Sequence, residues 1–301
     1  MKKGVFLAFL IFFSCQLHSQ FLWDAGVKIG GSNYLGDIGG GAGTRRNFLP
    51  DMKLGETKLS AGAFVRYAWF ENVSVMLSYN YGRIAGDDKL SSNPGRHDRN
   101  LSFRNDIHEL ALQGEVYFYT NEDIGHSYTF RNTFRAYAGL GVAGFYHNPE
   151  AYYQGTWYAL RPLKTEGEAK PYAKYCVAIP ASIGCFFTFN KHYRIGWDFC
   201  LRTTFTDYLD DVSGRYPPSN KLGSPLAVAL SNRTGELNLS PAEAANYLPG
   251  NKRGDPSHTD SYLFTTFNFS YVFRGKWYKR QGVASHSRVN SHKKKILHMK
   301  F

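Results

Sequence analysis

The sequence predicts an all-β protein: an eight-stranded antiparallel transmembrane β-barrel with long external loops. Three observations carry this. Strict alternation of apolar and polar residues recurs eight times along the 301 residues. Long and short connections alternate between those segments. No apolar run after the leader reaches the roughly 18 residues of a spanning helix, so membrane entry requires a closed barrel, in which every backbone hydrogen bond is satisfied. Composition agrees: aromatics are 16% of residues, 23 Phe and 21 Tyr among them, with 30 Gly, which suits strands flanked by aromatic girdles.

Residues 1–19 read as a secretory signal peptide, because Lys2 and Lys3 precede an apolar run from Val5 to Phe13 and a short polar stretch ending in Ser19. Cleavage after Ser19 leaves Gln20 first. Lipid attachment at Cys15 is the rival, with Phe12-Phe13-Ser14 a poor lipoprotein signal ahead of it. Three cysteines remain, Cys176, Cys185 and Cys200. An odd set without close spacing argues against a disulfide framework, and no CxxC metal spacing is present.

The barrel is expected over 20–273. Its strands run near Trp23 to Tyr34, Lys58 to Phe70, Val73 to Ile84, Asp106 to Tyr119, Arg131 to Tyr146, Tyr172 to Phe189 and Tyr193 to Phe205, and the last contains Phe267, Phe269, Tyr271 and Phe273 on one parity. Each is long enough for a tilted crossing of about 9 to 11 residues. The connections at Glu71-Asn72, around Asn121 to Phe130 and at Asn190-Lys191 are short; those from Leu35 to Thr57, Ala85 to Asn105, His147 to Pro171 and Leu209 to Asp260 are long. Such alternation matches short periplasmic turns and long external loops. An even strand number then puts both termini in the periplasm and the chain in the outer membrane, with lipid as its first partner.

Parity alone does not say which face is inside, and a soluble lipocalin-like barrel would fill its lumen with the apolar set. Glycine decides: Gly26, Gly30, Gly62, Gly139, Gly141 and Gly196 fall on the polar parity, where a narrow lumen needs small residues beside large ones. The lumen should therefore receive Asp24, Lys28, Arg66, Glu109, Glu115, Arg135, Lys174, Arg194, Asp198 and Arg202. Their mixed signs point to an ion-pair network that plugs the barrel, with a proton or solute path as the alternative.

Charge is uneven. From Arg274 onward there are nine Lys or Arg and no acid; with these and the leader's two lysines set aside, the net +12 falls to +1. Residues 274–301 read as a disordered basic tail emerging in the periplasm, where Lys276, Lys279, Arg280, Lys293, Lys294 and Lys295 could meet an acidic protein surface. Export excludes nucleic acid as a partner. The tail histidines, His286, His292 and His298, read as part of a solvated segment and not as a metal site.

No GxSxG, HExxH or phosphate loop is present, and no cofactor is implied. Asp207, Asp210 and Asp211 stand together at the outer end of the seventh strand and could form a carboxylate pair for acid or base work. Aspartates at strand ends more often cap turns or accept amides, and no serine or histidine stands with them as nucleophile and base would require. Asp210 and Asp211 could pair with Arg233 or Arg253 and fold the last loop over the mouth. Arg253-Gly254-Asp255 spells an adhesion tripeptide, a triplet that often arises by chance.

Three stretches go beyond generic barrel pattern: GVKIGGSNYLGDIGG from Gly26, TDYLDDVSG from Thr206, and LSNRTGE from Leu230 with NKRGDPSHTDSYLF from Asn251. Together they resemble the PorG-like outer-membrane barrel family of the Bacteroidetes type IX secretion system, over most of the chain from Trp23 to Phe273. The residues that carry the likeness are Gly30, Gly31, Tyr34, Leu35, Gly36 and Asp37, then Asp207, Tyr208, Asp210 and Asp211. The resemblance implies a structural role without chemistry, tying the periplasmic ring of the secretion machine to the outer membrane. A lipid A-modifying or proteolytic barrel enzyme and a small OmpA- or OmpW-like barrel for adhesion or solute passage are the competing functions. On the residues alone, Gly30 and Gly31 allow close strand approach, Gly36, Gly39 and Gly40 permit positive φ, and Asp37 can accept amides.

Overall fold

The computed structural model describes residues 22–40, 52–124, 132–190 and 192–274. Eight long strands form the wall: β1 (Leu22–Leu35), β2 (Lys58–Phe70), β3 (Val73–Asp87), β4 (Ser102–Ile124), β5 (Asn132–Tyr146), β8 (Tyr175–Phe189), β9 (Tyr193–Thr204) and β10 (Ser261–Arg274). Between β5 and β8 stands a small hairpin, β6 (Glu150–Tyr153) and β7 (Thr156–Ala159), which sequence alternation over four residues was too short to reveal. Each wall strand pairs antiparallel with its neighbours. The pairing of β3 with β4 closes the ring. The expected eight-stranded antiparallel barrel is the observed fold.

Sequence alternation placed most boundaries within three residues, with β4 the exception. It was expected over 106–119 and runs from Ser102 to Ile124, with irregular register near Tyr117 and Asn121 where it meets β5. The leader, the 125–131 connection and the tail beyond Arg274 lie outside the described residues, and with them the six tail cations and Gln20.

Outward positions of the wall are apolar. Val27, Ile29, Leu77, Leu110, Leu112, Val116, Leu140, Val142, Ile183, Ile195 and Phe267 are all exposed, an arrangement that costs free energy in water and suits hydrocarbon. Aromatic rings bound the belt at each end. At the end bearing the short turns are Trp23, Trp69, Phe70, Phe118, Tyr271 and Phe273, with Trp23 on Tyr67 at 4.7 Å. At the other, His108 lies 5.2 Å from Tyr81 and 6.2 Å from Tyr146, which lies 5.5 Å from Tyr175. Ten residues of β4 separate His108 from Phe118, which at about 3.3 Å per residue and a tilt of roughly 40° makes a belt about 25 Å tall. No helix among the described residues is long and apolar enough to cross a membrane; this wall crosses with strands.

Inside, the lower lumen is packed with paired charges. Asp24 accepts Arg194 at 2.6 Å, Arg66 at 3.2 Å and the Ser270 hydroxyl at 3.2 Å. Arg66 also meets Glu115 at 2.6 Å, Lys28 faces Asp198 at 3.6 Å, and Arg202 holds Glu109 at 3.1 Å. Neutral donors take remaining acceptor sites, Tyr137 on Asp198 and Tyr262 and Asn80 on Glu109. Losing one partner of such a buried pair strands the other charge, which commonly costs about 3–5 kcal/mol. Glycine makes room: a Cβ at Gly184 would lie 2.6 Å from the Tyr137 ring.

Two residues assigned to this network from sequence stand outside it. Arg135 is at the lower rim, where it donates to the Glu71 carbonyl of the β2–β3 turn and lies over Tyr117. Lys174 precedes β8 and sits 6.0 Å from the outward ring of Tyr146. For Lys174 the parity count began inside a loop, and parity has meaning only along extended backbone.

The upper interior differs from the expectation of a polar lumen. Tyr34, Ile84, Phe103, Ile107, Phe145, Tyr262 and Phe264 meet loop residues Ile38, Leu209, Val212 and Leu230 in one buried apolar cluster. The faces of the wall exchange character at this level. Along β4 the outward residues change from Leu112 and Leu110, through His108, to Asp106 and Arg104; the inward ones change from Glu115, Gln113 and Glu109 to Ile107 and Phe103. Below the upper girdle the barrel has a polar inside and an apolar outside, and above it the reverse.

Candidate functional site

The residues singled out from sequence converge on the upper mouth, where four loops close over the apolar cluster. Tyr34, at the end of β1, turns its ring back so that its hydroxyl lies 2.6 Å from Asp210 and 2.9 Å from Asp260, and it accepts the Asp37 amide at 2.8 Å. Asp210 in turn accepts the amides of Ile38 at 3.1 Å and Val212 at 2.9 Å. First and last loops are thereby joined. Gly36 serves this contact by space: a Cβ there would collide with the Tyr34 hydroxyl. Gly39 and Gly40 have φ of 78° and 81°, as expected of them, whereas Gly36, grouped with them from sequence, does not adopt positive φ.

A second knot lies beside the first. Arg99, at the end of the short helix Pro94–Arg99, grips Asp88 with two bonds of 2.7 and 2.9 Å and donates to the carbonyls of Asp37 and Arg253. Arg253 donates to Glu166 at 3.0 Å and to the carbonyls of Asp211 and Ser231. Asp37 receives the amide of Asp255 at 2.8 Å, and Glu166 receives those of Ser213 and Gly214. Asp211 takes the hydroxyls of Thr165 and Tyr172, and the Tyr172 ring is stacked at 4.7 Å on Tyr208. All four long loops contribute a charged or amide group to this hub. A guanidinium with five fixed donors is suited to knit several loop carbonyls at once.

Of the two candidate arginines, Arg253 reaches Asp211, with a side-chain contact of 3.9 Å besides the carbonyl bond. Arg233 does not; it pairs with Glu236 three residues on, at 2.9 Å. The RGD triplet is structural: Arg253 is buried, and a Cβ on Gly254 would lie 2.7 Å from both Asp37 and the Ser213 carbonyl. Asp207 is half-buried. Sequence reasoning missed Tyr34 as a bonding centre, Arg99, Glu166 and Asp260, because each acts on a residue distant along the chain.

Electrostatics follow from burial. Asp210 is pushed up to about 7 by desolvation, helped by the neighbouring charge of Asp37. Asp211 is likewise raised to about 7 by burial, against the opposing pull of Arg253, Thr165 and Tyr172. Burial lowers His147 to about 4, so at neutral pH it is uncharged beside Cys176, with 3.5 Å between Nε2 and Sγ. A neutral imidazole gives the Cys176 thiol no cationic partner to activate it. Among the described residues no group of His, Cys, Asp and Glu is arranged to hold a metal ion, and Cys176, Cys185 and Cys200 are free thiols. What the arrangement does chemically is hold a lid.

A family profile described as "Domain of unknown function (DUF6089)" matches residues 2–234. No curated protein matches the chain. Solved structures similar to it include the N-terminal β-barrel domain of Pseudomonas aeruginosa OprF, at 8% identity over 85% of this chain and 98% of that one, TM-score 0.35. The Yersinia pestis attachment invasion locus protein Ail is similar at 9% identity, over 85% and 100%, TM-score 0.39. Neisserial surface protein A is similar at 6%, over 85% and 98%, TM-score 0.36.

Proposed function

This chain belongs to the DUF6089 family, and we propose that it is a non-enzymatic outer-membrane scaffold subunit of the type IX protein secretion system, linking the periplasmic ring to the membrane. One observation carries the reading: the barrel is filled below by paired charges and closed above by a braced lid, which leaves binding as the use of the molecule. The motif residues Tyr34, Gly36, Asp37, Asp210 and Asp211 that carry the resemblance are those that fasten the lid. Both termini would then lie in the periplasm, with the ring contact resting on the loop near Asn121 to Phe130 and on the basic tail. Attraction by the tail would speed encounter and weaken with salt.

The competing small-barrel role in solute passage fits a plugged lumen poorly, whereas adhesion through an ordered lid fits it. A barrel enzyme acting on lipid A or peptides would need accessible acids, and Asp210 and Asp211 are buried and already bonded to amides and hydroxyls. Deletion of the gene in an organism that possesses the machine tests the proposal. Secretion of type IX cargo should fail, and the ring lipoprotein should no longer co-purify with outer membranes; normal cargo secretion refutes it.

A further inference from the structure

On the outward face of β3 and β4, just above the upper aromatic girdle, the wall and the β6–β7 hairpin enclose an open cleft of about 600 Å3. Arg83, Lys89, Arg104, Tyr152 and Trp157 line it. Arg83 is two residues beyond Tyr81 on the same face, and Arg104 is four beyond His108, so the cleft opens at the height of lipid headgroups. Arg83 stands opposite Asp106 in the ladder and Arg104 opposite Ala85, which makes the two arginines diagonal neighbours about 7 to 8 Å apart.

Both guanidiniums are held in place. Arg83 binds Asp106 through Nε at 2.7 Å and Nη2 at 2.8 Å. Arg104 binds Glu150 through Nε at 2.9 Å and Nη2 at 2.8 Å, and its guanidinium carbon lies 3.7 Å from the centre of the Trp157 ring. Trp157 and Tyr152, 5.3 Å apart, are both more than 40% exposed. Pre-oriented guanidiniums beside exposed indole and phenol rings, continuous with a lipid-facing wall, match a phosphorylated amphiphile at a membrane surface.

We propose that this cleft binds the phosphate of a lipid headgroup in the external leaflet, with Arg83 and Arg104 as the phosphate ligands and Trp157 and Tyr152 against the rest of the headgroup. The carboxylates of Asp106 and Glu150 then orient the arginines and limit the site to one or two phosphate groups. The inference rests on the membrane-spanning wall and is independent of any role in secretion.

Native mass spectrometry of the detergent-purified full chain, loaded with a phosphorylated glycolipid and in parallel with the same lipid after enzymatic dephosphorylation, tests it. The phosphorylated lipid should be retained preferentially. Arg83→Gln with Arg104→Gln should weaken that retention about tenfold or more, while the barrel stays heat-modifiable on gels. Should the double variant not fold, each single substitution should lower retention in a folded barrel. Inorganic phosphate at millimolar concentration should not displace the lipid. Equal retention of both lipids, unchanged retention in folded variants, or displacement by inorganic phosphate would each overturn the proposal.

Discussion

The Tyr34 hydroxyl owns one proton and has three partners. It accepts the Asp37 amide, so it can donate to only one of the carboxyls of Asp210 and Asp260, which lie 2.6 and 2.9 Å away. The other contact is attractive only if that carboxyl carries a proton of its own. Hydrogen-bond counting thus asks for one added proton on the pair of Asp210 and Asp260, and burial, against the pull of the Tyr34 and Val212 bonds, raises Asp210 to about 7. Because the closed lid binds protons that the opened one releases, its stability is full below the ordinary carboxyl range near 4 and is lost as pH rises through about 7. His147, lowered by burial to about 4, acts in the opposite sense: once exposed it takes up a proton below its ordinary 6.5, so its contribution to closure grows as pH rises from about 4 to 6.5 and offsets part of the carboxyl effect. Limited proteolysis of the 205–260 loop, normalised to an unfolded control, should be faster at pH 8.5 than at pH 5. Asp210→Asn, which fixes that side chain as neutral, should reduce the difference, with Asp211, also raised to about 7, supplying the remainder. Equal rates at both pH values in the native chain would dismiss this account of the lid.

At the scale of the element, β4 records the whole environment of the barrel in one strand. Its outward positions pass from Phe118 through Leu112 and Leu110 to His108 and Arg104, so position along it is depth in the bilayer. Leu112→Arg should therefore cost about 2–4 kcal/mol of barrel stability, the depth-dependent penalty of a cation near the midplane; urea unfolding in lipid vesicles would measure it. Arg104→Leu should change stability far less in the same assay, and a penalty equal for both sites would mean the belt is misplaced. Period-two alternation made the strands legible because each crosses between unlike surroundings. The reversal of faces above His108 was hidden by the assumption that one parity keeps one character throughout. The docking of the β6–β7 hairpin on β4 and the partner of Asp210 were hidden for another reason: the contacts that define them join residues 46 and 176 apart, Arg104 with Glu150 and Tyr34 with Asp210. Arg253 could be guessed as a lid residue from charge alone, but Arg233 could not be rejected until the nearer Glu236 was seen to hold it.

For the whole molecule, the proposed orientation, with the lid facing out of the cell, is open to a direct test. A single cysteine at Ser92 or Ser219, in a chain with its native cysteines replaced, should react with an impermeant maleimide on intact cells. One at Asn72 should react only after the outer membrane is opened. The reverse pattern would turn the barrel over and move the lid to the periplasm.

The exchange of faces along β4 also sets how the molecule floats. Hydrocarbon draws the belt down and water draws the charged outer collar up, and the two forces balance at one waterline, the ring of His108, Tyr81, Tyr146 and Tyr175. Six residues of β4 rise above it to Ser102, a freeboard of about 15 Å at the rise and tilt of the wall. The lid is seated inside this collar, its Leu209 carbonyl bonded to Asn105 and its Ile38 and Val212 in one cluster with Phe103. Like the deck of a ballasted hull, it cannot sink to the lipid surface without dragging Arg83, Asp106 and Arg104 into hydrocarbon, so whatever touches it must approach from the water on that side and not along the membrane.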